Sequence, residues 1–435
     1  MKTLSLLSCL LASLAIAGHP AAAATIYNVH DFDAQGDGKT LDTAAIQKAF
    51  DACKKSGGTV VFPAGIYLSG PLKILTKTTV QLDAGATLLA STNQMDFMKV
   101  PGDWLKAKSG GDFIPFISGK DLTDVTFTGG GVIDGNGAVW WGEAEKARQI
   151  KSGYTLPRPN LMVIERSKNL RMENITLQNS PKFHFVPTEC EGVMISNVTI
   201  LAPERAANTD AIDPSNCKNV LITKCLIDVG DDNVAIKAGK PVAGREFACE
   251  DITVTDCTFL HGHGMSIGSE TAGGVRNVTV KNCTFQNTEN GIRIKSQRGK
   301  GGIVENLVCD GITMSNVNPA ITLTCYYANN SAGDTSQAAA DEATKASEKI
   351  PTYRNIRISN LTATCPKGAG IITGLPESCI TNVVLENVKI SAAKGFEIRN
   401  AKGVQLKNVT VTVAKGDPFV LENAEVSGLP APATK

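Results

Sequence analysis

Apolar and polar residues alternate in a short phrase that recurs along the chain. It reads MENITL (172–177), ISNVTI (195–200), ITKCLI (222–227) and VTDCTF (254–259), then VKNCTF (280–285), ISNLTA (358–363), LENVKI (385–390) and LKNVTV (406–411). A period of two is that of a half-buried strand. Aligning the phrases puts Asn174, Asn197, Lys224, Asp256, Asn282, Asn360, Asn387 and Asn408 at one polar position, followed each time by an apolar residue or a cysteine. Successive spacings are 21 to 32 residues, except between Asn282 and Asn360, where the gap must hold an additional turn or an insertion.

A strand-rich repeat of this length cannot bury a core alone but can do so by stacking. It predicts an all-β, single-domain right-handed parallel β-helix whose coils lie about 4.8 Å apart. Equivalent positions then form ladders along the axis. The recurring Asn-x-Thr triplets therefore read as turn and ladder residues rather than glycosylation sites, and Cys225, Cys257 and Cys283 as packed small side chains. Asp42 predicts the N-cap of a helix running to Lys55, with Ile46, Ala49, Phe50 and Cys53 on one face and Gly57 past its end. Such a helix would cover the open apolar end of the coil. Residues 328–350 are rich in Ala, Ser and Thr without strand periodicity and predict an inserted loop.

The N-terminus departs from this pattern. Lys2 precedes an apolar run over 4–17 that closes on small residues at 21–24, the layout of a secretory signal peptide over 1–24. The expectation is an exported protein, extracellular or periplasmic, with 25–435 as the β-helix domain. The chain has 43 basic and 42 acidic residues, and Lys2 lies in the leader, so the remainder balances. No charge run suggests a nucleic-acid or membrane surface, and no internal apolar stretch is long enough to span a bilayer. An anionic ligand must be selected by local residues. Of 12 cysteines, Cys9 goes with the leader. The odd remainder leaves at least one thiol unpaired in a monomer, which is the expected state, and the pairing cannot be read from the spacing. No CxxC pair or Cys/His cluster has zinc-ligand spacing, so a structural zinc site is not expected.

The alignment extends to the next stretch of each coil: NTDAID (208–213), GDDNVAIK (230–237), GHGMSIG (262–268) and ENGIRIK (289–295). Matching Ile212, Val234, Met265 and Ile292 puts Asp210, Asp232, His263 and Asn290 in one column, with Asp231 beside it. Arg293 and Lys295 follow one and three positions past the matched residue. Strand parity groups Asp231 with Arg293 and Lys295, while the column of Asp210 and Asp232 needs a turn to face the same way. Glycoside hydrolysis needs one carboxylic acid to protonate the leaving oxygen and one carboxylate as base or nucleophile. Three carboxylates in adjacent coils cannot all ionise freely, so repulsion holds one protonated. Arg293 and Lys295 suit a sugar carboxylate, and His263 can tune the acid. Each motif alone is ordinary; their common phase in four consecutive repeats is not. Trp140-Trp141 reads as either packing or a sugar platform.

As a set, Asn208-Thr209-Asp210, Gly230-Asp231-Asp232, Gly262-His263-Gly264 and Arg293-Ile294-Lys295 resembles the four signature motifs of the polygalacturonases, glycoside hydrolase family 28. The likeness runs from about Tyr27, through Gly131-Val132-Ile133-Asp134-Gly135, to about Val411. The resemblance implies metal-independent, inverting hydrolysis of the α-1,4-galacturonosyl linkages of polygalacturonate or pectin. It makes Asp231 the general acid, Asp210 and Asp232 the residues that activate water, and His263 a support for the acid. Asn208, Arg293 and Lys295 would bind substrate, and Tyr326, beside Tyr327, would pack on the sugar. Inversion comes from the resemblance alone: neighbouring coils place Asp210 and Asp232 about 4.8 Å apart in backbone, against the roughly 6.5–9.5 Å usual between acid and base in inverting enzymes. Endo action is favoured over exo. The alternatives are a rhamnogalacturonan or xylogalacturonan hydrolase, a pectate lyase, or a non-catalytic polysaccharide-binding β-helix. The intact Gly-His-Gly and Arg-Ile-Lys motifs speak against the first.

Overall fold

All eight aligned polar positions adopt the left-handed conformation, with φ between 51° and 56°. Asn and Asp tolerate that region because a short polar side chain can bond locally, and six of the eight are Asn. In the computed structural model, which describes residues 25–54, 56–100, 102, 113–150, 156–243, 248–327 and 349–429, these residues turn the chain at the same corner of every coil. Their side chains form ladders: Asn197 Nδ2 donates to Asn174 Oδ1 at 2.8 Å, Asn387 to Asn360 at 3.1 Å, and Asn408 to Asn387 at 2.8 Å. The predicted signal peptide (1–24) and all but the last two residues of the predicted insertion (328–348) lie outside the described residues.

The core follows from the same register. Met172, Ile195, Ile222, Val254, Val280, Cys309, Ile358 and Leu385 pair in succession along parallel strands, and all eight are buried. Parallel strands covered on their inner face stack into one continuous core, and the molecule is a right-handed parallel β-helix. The wide gap holds a coil that the phrase alignment skips. Lys281 pairs with Asp310 and Asp310 with Ser359, which puts Gly311 (φ 68°) at the Asn position. The corner is kept but its side chain is lost, so the phrase is unrecognisable there.

The capping helix spans Thr43–Ala52 and buries Ile46, Ala49 and Phe50, with Cys53 after it. Gly57 (φ 73°) donates to Cys53 O at 2.8 Å beyond its end. Asp42, however, is not a side-chain cap. Its carboxylate accepts instead from Gln35 N at 2.8 Å and Gly36 N at 3.0 Å, tying the helix to the preceding loop. Trp140 is fully buried and packs edge-to-face on Phe97 and Phe113, and the partly buried Trp141 packs against the same core with Nε1 donating to Ser180 O at 3.1 Å, so the tryptophan pair is packing. The eleven cysteines of the described residues are free thiols, ten of them buried. Cys225, Cys257 and Cys283 follow one another in the ladder as predicted, each directing Sγ at backbone carbonyls.

One further sheet face positions the chemistry. Phe185–Thr188, Ile212, Val234–Ile236, Met265–Gly268, Ile292–Lys295 and Ile321–Thr324 stack in parallel, and Ile212, Val234, Met265 and Ile292 are in register as the alignment required.

Candidate active site

With the matched apolar residues facing inward, the residues one and three positions later face outward. The first set is Asp213, Ala235, Ser266, Arg293 and Thr322; the second is Ser215, Lys237, Gly268, Lys295 and Thr324. The carboxylates lie just before the strands, in bends at 208–211 and 230–233. Asn233 fixes the second bend: its side chain donates to His261 O at 2.7 Å and accepts from Gly264 N at 2.8 Å. That tie turns Asp232 out over Ser266. Asp232 accepts from Arg293 Nη2, from Lys295 Nζ at 2.7 Å and from Ser266 Oγ at 3.0 Å. The grouping expected from strand parity is therefore reversed. Asp232, not Asp231, joins Arg293 and Lys295, because the alternation of side-chain direction holds only within a strand and the bend reverses it, while the stacking order of the coils persists.

Asp231 belongs to a different set of contacts. Its Oδ1 lies 3.0 Å from His263 Nδ1, and Asn208 Nδ2 approaches Oδ2 at 3.4 Å. His263 Nε2 is 3.1 Å from Glu289 Oε2. Asn208 is itself held by buried Arg158, whose Nη2 donates to Asn208 Oδ1 at 2.8 Å. Burial disfavours the imidazolium, but the hydrogen bonds to Asp231 and Glu289 outweigh it and lift His263 to about 10. Burial likewise pushes Asp231 up, yet the hydrogen bond and charge of His263 bring it below the ordinary carboxylate value. Asp232 is pushed up by burial and held far below the ordinary value by Lys295, Arg293 and His263.

Asp210 behaves oppositely. It is buried, its Oδ2 lies 3.3 Å from Lys237 Nζ, and its Oδ1 meets no donor among the described residues. Burial, then repulsion from Asp213 and Asp231, drives it well above the ordinary value. Of the three carboxyls Asp210 alone is raised, by burial first and by repulsion from its neighbours second. Beside it, Asp213 is raised to about 6 by burial despite a 2.5 Å ion pair with Lys237. Lys237 Nζ also lies 4.4 Å from the centre of the Phe183 ring.

Asp210, Asp231, Asp232, His263, Asn208, Arg293 and Lys295 are thus brought together. Asp213, Lys237, Ser266, Glu289 and Arg158 join them without having been singled out. For Asp213 and Lys237 the signal was in the alignment, one residue past Ile212 and three past Val234, the phases of Arg293 and Lys295. An open cleft of 730 Å³ adjoins the cluster and is lined by Glu289, Asn290, Arg293, Lys295, Tyr326 and Tyr327, and farther along by Lys367 and Lys394. Tyr327 is the tyrosine near the cations, its ring centre 5.1 Å from Lys295 Nζ. Tyr326 lies between Arg298 and Arg399, at 5.8 and 5.9 Å. Donor atoms of Asp231, Asp232 and His263 lie within 4.8 Å of one another, close enough for a cation. Arg293 and Lys295 already neutralise Asp232, however, and a metal there would face two fixed positive charges.

A parallel β-helix carrying a carboxylate cluster beside two cations in an open cleft has the groups that acid/base cleavage of a glycosidic bond requires. Residues 54–414 match the model of the glycosyl hydrolases family 28, and the chain belongs to that family as a glycoside hydrolase. It is 34% identical over 370 residues to an endo-polygalacturonase of Pectobacterium carotovorum subsp. carotovorum, covering 82% of this chain and 86% of that one. Among solved structures it resembles the polygalacturonase of Erwinia carotovora ssp. carotovora, with a TM-score of 0.72, 31% identity and coverage of 94% and 98% of the two chains. A hyperthermoactive exopolygalacturonase of Thermotoga maritima is also similar, with a TM-score of 0.70, 26% identity and coverage of 92% and 91%.

Proposed function

We propose that the protein is a polygalacturonase that hydrolyses α-1,4-galacturonosyl linkages by acid/base catalysis, without a metal and with inversion. The observation that carries this reading is the convergence of three carboxylates with Arg293 and Lys295 at one edge of the cleft. A bound uronate offers its carboxylate to Arg293 and Lys295, in competition with Asp232. This adds negative charge to the cluster and raises the proton affinity of its neighbours. Asp231 is the candidate acid. Its side chain is 20% exposed, against 2% for Asp232 and 5% for Asp210, and the imidazolium of His263 can supply its proton. Asp232, ionised, accepts the proton of the attacking water, and Asp210 orients that water. Tyr327 rather than Tyr326 has the position to pack on the sugar beside Lys295.

The open cleft continues past Tyr327 to coils carrying Lys367 and Lys394, which favours an endo mode. Export by a signal peptide over 1–24 and action as a monomer complete the reading. No helix among the described residues is long and apolar enough to cross a membrane.

Digestion of polygalacturonate with chelator present tests this. The expected outcome is a ladder of saturated oligomers by chromatography, with reducing ends and no ultraviolet absorbance. Monomer or dimer alone would mean exo action. Absorbing products would mean a lyase, and no cleavage until calcium is added would overturn the metal-independent mechanism.

A further inference from the structure

The cations at Arg293 and Lys295 lie on the C-terminal side of the carboxylates, and the opposite side carries cations of its own. Phe185 pairs with Ile212 and Ile212 with Val234, so Lys182 shares a column with Thr209 and Asp231, and Phe183 shares one with Asp210 and Asp232. The stacking is continuous: His184 N donates to Asp210 O at 2.8 Å and Ala211 N to Asp232 O at 2.9 Å. Lys182 therefore stands two coils, about 10 Å, from Asp231 towards the N-terminal end. Glu289 stands two coils away on the other side.

Lys182 is half-buried, with Nζ 4.6 Å from the centre of the Phe183 ring. Among the described residues no carboxylate lies within ion-pair reach of it. Asp210 and Asp213 face Lys237 instead. Burial, then the like charges of Arg158 and Lys237, disfavour the Lys182 ammonium form by more than the charges of Asp210 and Asp213 favour it, so a counterion brought to this spot is stabilised. Half-burying an ammonium without a partner is costly, and a partner that arrives with the ligand explains it. A polymer of uronic acids laid along the coils carries a carboxylate on both sides of the bond being cut.

We propose that Lys182, backed by the face of Phe183, is a substrate-binding residue that takes a uronate carboxylate on the side of the catalytic cluster opposite Arg293 and Lys295. The inference rests on the reading of the substrate as polygalacturonate. It makes the enzyme require charge on both sides of the scissile bond, so that recognition is not confined to the Arg293–Lys295 pair.

Lys182→Met keeps the stem and removes the charge; Lys182→Arg keeps the charge. With polygalacturonate as the probe, Lys182→Met is expected to raise KM about 10- to 100-fold, the range for losing one charge-assisted hydrogen bond. Its kcat should stay within about threefold and its thermal unfolding midpoint should be unchanged, while Lys182→Arg recovers most of the KM. If wild type cuts polygalacturonate and Lys182→Met has the wild-type KM, the inference is wrong and the functional reading stands. If kcat and the unfolding midpoint fall together and Lys182→Arg does not recover KM, the residue is structural and the inference is wrong. If wild type leaves polygalacturonate uncut, both readings fall.

Discussion

Asp231→Asn is expected to fold normally and to lose roughly 10²- to 10⁴-fold in kcat on polygalacturonate, the range that a positioned general acid contributes. The substitution is nearly isosteric. Asp231 lies in a bend ahead of the strand Val234–Ile236, and its backbone carbonyl still accepts from His263 N at 2.8 Å. What goes is the ionisable carboxyl beside His263 Nδ1 that takes up and delivers the proton. Without that carboxylate His263 also loses the first of the two hydrogen bonds that lift its proton affinity, so the imidazolium becomes easier to discharge. Because Arg293 and Lys295 are untouched, KM should change by no more than about threefold. Reducing-end assays with purified variant and wild type at equal concentration read both constants. A variant that keeps wild-type kcat would remove Asp231 from the acid role.

Lys237→Met is expected to cost about 3–5 kcal/mol of stability near neutral pH, the usual result of deleting one partner of a buried ion pair. Asp210 and Asp213 would be left buried side by side without their cation. The pH dependence has a definite sign. In the native protein the Asp213 carboxyl is raised to about 6 by burial, and Asp210 is raised further. Such groups favour folding when protonated, a contribution fully present below the unfolded carboxylate value and lost as pH rises through the folded one. Removing Lys237 raises both further, so the variant's deficit should shrink as pH falls from 7 to 4, where the two carboxyls become neutral and wild type also loses its ion pair. Urea unfolding at the two pH values measures it. A deficit independent of pH would show that Lys237 serves only to pack against Phe183.

Much of this architecture was legible in the sequence because a parallel β-helix repeats its register. The Asn column, the buried residue after it, and the in-register row of Ile212, Val234, Met265 and Ile292 all follow from matching short phrases. Register fails as a guide where the chain leaves the strand. Asp231 and Asp232 exchange partners relative to strand parity because the side chain of Asn233 is bound inside the turn at 230–233. The coil with Gly311 at the corner was invisible because the identifying side chain is missing there while its conformation persists. Asp213 and Lys237 sat in the right columns but read as ordinary strand residues. Only the fold shows them closing on Asp210. The helix cap failed for a simpler reason: two backbone amides of the preceding loop compete for the Asp42 carboxylate.

The stereochemistry is where the geometry and the family resemblance pull apart. One oxygen of Asp231 and one of Asp232 lie within 4.8 Å of each other, a closest approach shorter than the roughly 6.5–9.5 Å usual between the acid and base of inverting enzymes. The account nevertheless predicts single displacement, with water delivered by Asp232 and Asp210 while Asp231 protonates the leaving oxygen. The decisive measurement is proton NMR of polygalacturonate in the first minutes after enzyme is added, before the new reducing ends equilibrate. The account predicts that the β-anomer appears first, with no vinylic signal, and that Asp231→Asn produces neither anomer at a comparable rate. An initial α-anomer would establish double displacement, and a vinylic signal would establish elimination; either contradicts the mechanism proposed for this site.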